Sequence, residues 1–251
     1  MNHKRIPFLF LLLLVICSTC FAQYEEGRYD FWREDTKLTF DMFQGDTLTM
    51  MKYKDYNFKS VVSIGFWAVL DVPKKKKDWK VKKEQYYFSA AVDKTESCLF
   101  ETNDLSLKHA QVLWDICELA TRVSRNSLTK MVHQIDSLNS PINISHSINH
   151  GALNITYTTG LISMFYMTAL NDGKEFGRDL TSLFIRDVIV PKSDSMYYVY
   201  RAQIDTLLNE TKEFATSEQE INRFITNTPQ TGYIMAPRLM GDMKRRGNIE
   251  Y

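Results

Sequence analysis

A long amphipathic pattern in the middle of the chain constrains its fold more than any other feature. Apolar or small residues recur there at spacings of three and four, the period of one helical face. The set is Ala110, Leu113, Cys117, Ala120, Ser124, Leu128, Met131, Ile135 and Leu138. Asn103, Asp104 or Ser106 is available as the N-cap, and Asn139-Ser140-Pro141 ends the pattern. These residues predict one long helix with a buried face.

The residues before this helix indicate strands. Two β-rich runs cover residues 61–70 and 85–92, and the polar segment of residues 73–78 between them suits the tip of a hairpin. Later helices are predicted at residues 179–188, 197–214 and 217–225. We therefore expect an α+β fold, in which an antiparallel sheet of about four strands packs on the long helix and a mostly helical C-terminal region follows.

The N-terminal residues have the three parts of an export signal. Two basic residues precede an apolar run at residues 6–16, which is shorter than the roughly 20 residues that a membrane span needs. Cys20 and Ala22 place small residues at positions −3 and −1, which predicts cleavage between Ala22 and Gln23. We expect a bacterial periplasmic or secreted protein with no membrane span after the signal is removed.

Lipid anchoring is the alternative to free export. Cys17 or Cys20 would then be the acylated residue, but neither has the Leu at −3 together with the small residue at −1 that a lipoprotein signal uses.

These patterns divide the chain into four parts. A signal peptide takes residues 1–22, an α+β domain residues 23–151, and a helical region residues 152–230. Residues 231–251, with their glycines and prolines, are expected to form a loose tail.

Two cysteines remain after the predicted signal, Cys98 and Cys117. In an oxidising compartment they could form a disulfide. The alternative is a pair of buried apolar thiols, because Cys117 lies on the apolar face of its helix. The sequence has no further Cys/His cluster that would predict a structural zinc site.

Residues 38–45 and the helix residues from His109 to Arg122 carry two motifs, and Ser97-Cys98 and His150-Gly151 add two short matches. Together they resemble a family of exported bacterial zinc-dependent proteases, catalogued as domain of unknown function 922. Residues 38–45, Leu-Thr-Phe-Asp-Met-Phe-Gln-Gly, resemble the family's opening L-T-W-x-D-F-x-G, and Ser97-Cys98 lies where the family has Ser-Trp. The family's signature helix reads roughly H-E-Q-G-H-F-D-I-x-E-L-Y-A-R. Here the matching residues are His109, Gln111, Asp115, Ile116, Glu118, Leu119 and Arg122. His150-Gly151 corresponds to a His-Gly pair of the family, so the resemblance covers about residues 32–151.

The departures from this motif bear on chemistry. In H-E-x-x-H, two imidazoles four residues apart hold zinc, and the Glu acts as general base on the metal-bound water. The Glu position holds Ala110 and the second His position holds Leu113. We therefore expect a degenerate relative with no catalytic residue and no cofactor. Glu118 and Arg122, four residues apart, are expected to form an ion pair on the helix surface as much as a functional pair.

A second histidine pair keeps an alternative open. His146 and His150 are also four residues apart, and together with His109 they could form a rearranged zinc site of a metal-dependent peptidase. No carboxylate stands beside them as base, so two exposed loop histidines are the simpler interpretation. His109 itself is expected to be a structural, hydrogen-bonded histidine.

Lysines crowd the predicted hairpin tip, at Lys74, Lys75, Lys76, Lys77, Lys80, Lys82 and Lys83. They indicate either a patch for an anionic partner or a solvated turn that discourages edge pairing. Nucleic acid is not expected, because 31 basic residues balance 30 acidic ones and the chain carries an export signal. The sequence thus predicts an exported, non-catalytic protein that acts in binding or envelope structure, with an envelope protein or an anionic polymer as partner.

Overall fold

The computed structural model describes residues 27–46, 51, 60–78, 82–100, 103–137 and 160–235. The strands are β1 (Tyr29–Phe31), β2 (Ser60–Val61), β3 (Ile64–Pro73), β4 (Gln85–Asp93), β5 (Cys98–Leu99) and β6 (Tyr233–Met235). The helices are α1 (Asp104–Ser137), α2 (Gly160–Phe184), α3 (Asp194–Glu210) and α4 (Glu218–Thr226), and a π-helical turn, Ile185–Ile189, follows α2 directly.

Four of the strands form one antiparallel sheet in the order β1-β4-β3-β6, and β2 pairs with β5 separately. The hairpin of β3 and β4 is the centre of the sheet, with Trp67 opposite Ser89 and Asp71 opposite Gln85. This arrangement confirms the predicted α+β class, the antiparallel sheet and the hairpin around residues 73–78.

The two faces of the sheet are covered by different helices. Because side chains alternate along a strand, the even-numbered residues of β3, from Ile64 to Val72, lie in a large apolar cluster with α1, α2 and α3. The odd-numbered Trp67 and Val69 lie in a smaller cluster on the opposite face, with Ile221 and Phe224 of α4. The sheet therefore has helices on both sides.

Helices α1 and α2 approach each other closely at Gly173. A Cβ atom at this position would lie 2.1 Å from Ser124 Oγ and 2.3 Å from the carbonyl oxygen of Ala120. Ser124 Oγ donates a 2.7 Å hydrogen bond to the carbonyl of Ala169 across the same contact. Only glycine fits here without moving the backbone.

The long helix begins as predicted, since the backbone N–H of Ser106 donates to Asn103 Oδ1 at 2.9 Å. The C-terminal part differs from expectation at one point. Tyr233–Met235, placed in the loose tail, pair with β3, with Asp71 opposite Met235 and Pro73 opposite Tyr233. The region from residue 152 to 230 is helical where the structure describes it, and its helices α2 and α3 pack on the same apolar cluster as α1.

None of the helices described is both long enough and apolar enough to cross a membrane.

Candidate functional site

Helix α1 places the residues that resemble the zinc-protease motif in two different environments. Ala110 and Leu113, at the two altered positions, are buried in the main apolar cluster. His109 is half-buried, and its ring lies 5.8 Å from the ring of Phe184 and 5.8 Å from that of Tyr197. Burial lowers the pKa of His109, and the nearby Asp194 carboxylate opposes that shift. His109 therefore packs as a mainly neutral aromatic side chain.

Asp115 is the centre of the first polar cluster on α1. Its Oδ1 accepts hydrogen bonds from Trp32 Nε1 at 2.8 Å and from Gln111 Nε2 at 2.9 Å. Its Oδ2 accepts from Arg201 Nη1 of α3 at 2.6 Å. Gln111 Oε1 in turn accepts from the backbone N–H of Leu38 at 2.9 Å. This cluster ties α1 to the segment after β1 and to α3.

Glu118 is the centre of the second cluster, one turn further along α1, and it is fully buried. Its Oε1 accepts from Arg122 Nε and from the backbone N–H of Thr216, both at 2.9 Å. Its Oε2 accepts from the hydroxyl of Thr216 at 2.7 Å. The Thr121 hydroxyl lies 3.0 Å from Oε2 and 2.8 Å from the backbone carbonyl of Glu118, and its one hydrogen can bond to either. A carboxylate has about four lone-pair sites, and three of them accept bonds from Arg122 and Thr216 alone. Glu118 and Arg122 do form the expected ion pair. The expectation that it lies on the helix surface is wrong, because Arg122 is also buried.

Trp32 connects the two clusters. Its Nε1 donates to Asp115, while the guanidinium carbon of Arg122 lies 5.1 Å from the centre of its ring. A guanidinium at this distance is attracted by the ring face, and the gain is larger in a buried site. Arg122 Nη1 also donates to the carbonyl of Leu208 at the end of α3. One aromatic residue thus joins β1, α1 and α3.

Arg125 forms a third set of contacts, at the open edge of β4. β1 pairs with β4 only at residues 91–93, so the backbone groups of Phe88 lie beyond the end of β1. The Phe88 carbonyl accepts from Arg125 Nη2, and the Phe88 N–H donates to Glu220 Oε1 at 3.1 Å. Arg125 Nε donates to the same Glu220 oxygen at 2.9 Å. The ion pair bonds to β4 at a residue that a longer β1 would have paired with.

Arg125 and Glu220 use their remaining hydrogen-bonding atoms in contacts with other residues. Glu220 Oε2 accepts from the N–H and the hydroxyl of Ser217, both at 2.9 Å, which completes a capping box at the start of α4. The remaining donors of Arg125 bond to Thr121 Oγ1, the carbonyl of Phe214 and Thr216 Oγ1. All five guanidinium donors are therefore used.

The polar residues of α1 thus act on the fold rather than on an open cleft. Gln111, Asp115, Glu118, Arg122 and Arg125 follow each other at spacings of four and three, so they form one stripe of the helix. Each is bonded to a side chain or backbone group of another element or of the stripe itself. Within the described ranges, no group of three or more His, Cys, Asp or Glu residues is placed to hold a metal ion.

Several predicted positions lie outside the described residues. These are Ala22 and Gln23 at the predicted cleavage site, the histidines His146 and His150, and Lys80 of the basic run. The zinc site proposed from His109 with these two histidines stays a prediction.

Cys98 and Cys117 are both buried free thiols, so the structure does not contain the disulfide that their positions suggested. Burial raises the pKa of both thiols, and the neighbouring carboxylates Glu96 and Glu118 add to the effect. A thiol whose thiolate is disfavoured in this way is a poor nucleophile. Cys117 has the apolar environment that the helical period predicted.

Four residues of these clusters were not expected from the sequence: Trp32, Arg125, Arg201 and Glu220. Arg125 could have been found, because it continues the four-and-three spacing of Asp115, Glu118 and Arg122. Glu220 carries a local signal as well, since Ser217 and Glu220 have the spacing of a capping box. Neither signal says that the two residues meet.

No family model matches the chain, and searches of curated proteins and of solved structures likewise return no match.

Proposed function

We propose that this chain is an exported, non-catalytic protein on a scaffold related to that of zinc-dependent peptidases, acting in binding or in envelope structure. The observation that carries the proposal is that the residues of α1 at the motif positions serve the packing of the fold. The positions where a zinc peptidase needs a Glu and a second His hold Ala110 and Leu113 in the apolar core. The polar residues that survive from the motif, Asp115, Glu118 and Arg122, are engaged in structural contacts.

The chemistry of these residues supports a non-catalytic role. A methyl group and an isobutyl group neither coordinate zinc nor accept a proton, so the motif has lost one ligand and the general base. Asp115 and Glu118 are the two carboxylates of the helix that the family also has, and Asp115 bonds to Trp32, Gln111 and Arg201. Both oxygens of the fully buried Glu118 already accept hydrogen bonds from Arg122 or Thr216, so Glu118 is held in place and is not free to activate a water molecule.

Export is the second part of the proposal, and the N-terminal sequence supports it. Basic residues, an apolar run and the small residues Cys20 and Ala22 follow each other in the order of a cleavable signal. Protein sequencing of the secreted chain is expected to begin at Gln23. A chain that begins at an acylated Cys20 would instead identify a lipoprotein.

The non-catalytic role is tested by measuring the metal content of the protein, exported through its own signal and purified without a His tag or chelator. We expect less than stoichiometric zinc and no change in melting temperature when zinc is added. The matched variants are His109→Ala and the double variant His146→Ala, His150→Ala, and neither should change the metal content. Stoichiometric zinc that is lost in these variants, together with zinc-dependent peptide hydrolysis, would establish the peptidase alternative.

A further inference from the structure

We propose that the end of the β3–β4 hairpin binds the anionic surface of a phospholipid bilayer. The surface, called here the basic tip, consists of Lys74, Lys75, Lys77, Lys82 and Lys83, all of which are exposed. The inference rests on the proposed export of the chain, because a protein outside the cytoplasm meets the outer leaflet of a membrane, and it names one partner of the proposed binding role.

The basic tip carries an excess of positive charge. Lys74, Lys75 and Lys77 form no ion pair with any residue that the structure describes. Lys82 Nζ lies 3.5 Å from Asp78 Oδ2, and the other carboxylate of the loop is Glu84. Burial raises the pKa of Glu84, and the nearby Lys83 opposes that shift. Five lysines therefore face two acidic residues, in a chain whose overall charge is only +1.

The sheet holds the backbone of the basic tip in place. The N–H of Lys74 donates to the carbonyl of Gly232 at 2.8 Å, at the start of β6. Tyr233 Oη donates to the carbonyl of Lys83 at 3.1 Å, and Lys82 Nζ lies 5.8 Å from the centre of the Tyr233 ring. Both ends of the hairpin loop are thus tied to β6, and the lysines project from an anchored base.

Asp71, the acidic residue of β3 nearest to the basic tip, does not reduce the positive charge of the tip. Asp71, two residues before the end of β3, is buried and forms an ion pair with Arg223, with Asp71 Oδ2 at 2.6 Å from Nε. Since that pair has no net charge, it does not offset the charge of the basic tip.

The composition of the basic tip favours a lipid surface over a protein epitope. All five cations are lysines, which are compact point charges on flexible stems and lack the planar fork with which arginine binds one carboxylate or phosphate. Clusters of four to eight basic residues are attracted to acidic phospholipids, and each lysine near the surface strengthens binding by about fivefold. A fluid array of phosphate headgroups satisfies several flexible ammonium groups at once.

The experiment is co-sedimentation of the secreted protein with vesicles. Mixed phosphatidylglycerol and phosphatidylcholine vesicles are compared with pure phosphatidylcholine, each at low and at high salt. Binding is expected only to the anionic vesicles and is expected to weaken with salt. The triple variant Lys74→Gln, Lys75→Gln, Lys77→Gln should lower the partition coefficient roughly a hundredfold, at about fivefold for each lysine.

A matched variant removes the same charge elsewhere. Lys37, Lys108 and Lys130 are also exposed, so Lys37→Gln, Lys108→Gln, Lys130→Gln should bind nearly as the unaltered protein does. An equal loss in both triple variants, at unchanged melting temperature, overturns the assignment to the basic tip. Equal binding to pure phosphatidylcholine overturns it too, because apolar insertion rather than charge would then hold the protein.

Two further outcomes also overturn the proposal. Absence of binding to anionic vesicles at low salt rejects a bilayer as the partner. Binding to inorganic polyphosphate without binding to vesicles assigns the tip to a soluble polyanion instead. Neither result bears on the non-catalytic role, which the zinc measurement tests on the same protein preparation.

Discussion

The two faces of the sheet are closed in different ways. On one face, α1 and α2 cover the even-numbered residues of β3 with a broad apolar surface, and the two helices approach each other closely at Gly173. On the other face, the nine-residue helix α4 covers a small cluster of aromatic rings beside the buried ion pair of Asp71 and Arg223. A long helix can be stabilised by the apolar area that it buries. A short helix depends on a few specific contacts, such as caps, ion pairs and ring contacts.

The contacts of α4 show how this works. An isolated helix of this length is unstable in water, because helix nucleation costs more than so few hydrogen bonds return. Here Ser217 and Glu220 cap its first turn, Arg223 bonds to Asp71, and the Phe224 ring lies 5.8 Å from that of Trp67 and 5.9 Å from that of Phe31. Each contact is specific, so each should be sensitive to substitution.

The largest expected effect breaks the ion pair under α4. Arg223→Met leaves the fully buried Asp71 carboxylate without its partner, and we expect the free energy of unfolding to fall by about 3–5 kcal/mol. Urea unfolding followed by circular dichroism measures this loss. The double variant Asp71→Val, Arg223→Met removes both charges and should recover most of it, because no unpaired charge is then buried.

The control for this prediction is an exposed cation. Arg178 lies near Glu175 and Asp179 on the solvent side of α2, and its side chain is 65% exposed. Arg178→Ala should change the free energy of unfolding by less than about 1 kcal/mol. If Arg178→Ala and Arg223→Met lower the free energy of unfolding equally, the ion pair of Arg223 with Asp71 does not hold α4 on the sheet.

On the other face, Gly173→Ala is expected to destabilise the protein by about 1–3 kcal/mol, because the added methyl group collides with Ser124 and with the backbone at Ala120. In an exposed helix the same change would instead be stabilising by up to about 1 kcal/mol. Asn171→Ala, on the exposed side of α2, is the control and should be close to neutral. A stabilised Gly173→Ala protein would show that α1 and α2 are further apart than described.

A smaller effect is expected from His109, which packs between α1, α2 and α3. Burial lowers its pKa in the folded state below the ordinary value of 6.5. The unfolded chain therefore binds the proton more readily, and stability falls as the pH decreases below 6.5 towards the folded pKa. His109→Gln should make the free energy of unfolding less dependent on pH across this range. His133→Gln, at an exposed position near the end of α1, is the control.

The smallest effect concerns the thiols, whose reactivity is tested without any substitution. While the protein is folded, Cys98 and Cys117 should react slowly with a thiol reagent, since both are buried and burial raises the pKa of each. After unfolding in urea, both should react at once. A secreted protein that yields no reactive thiol after unfolding contains the disulfide that the structure lacks.

The hairpin and α1 could be predicted from the sequence because their signals are local. The β-rich runs around Pro73 and the period of α1 are both visible in a short window. The buried polar stripe could not be predicted, because the apolar period marks only one face of α1 as buried. Glu118 meets Thr216 across 98 residues and Arg125 meets Glu220 across 95, and no local pattern records such contacts.

The strand β6 was missed for a related reason. It is three residues long and only half-buried, so it has neither a run of β-formers nor a clear alternation. Its place in the sheet comes from its pairing with the last residues of β3. Short strands of this kind are recognised by their neighbours in space and not by their own sequence.

The ion pair at the edge of β4 has a consequence for how this protein avoids association. An unpaired strand edge is a template on which another chain can add a strand. Arg125 and Glu220 occupy the carbonyl and the N–H of Phe88, so an incoming strand finds no free hydrogen-bonding groups at that residue. The two side chains thereby block strand addition at a part of the β4 edge that β1 does not cover.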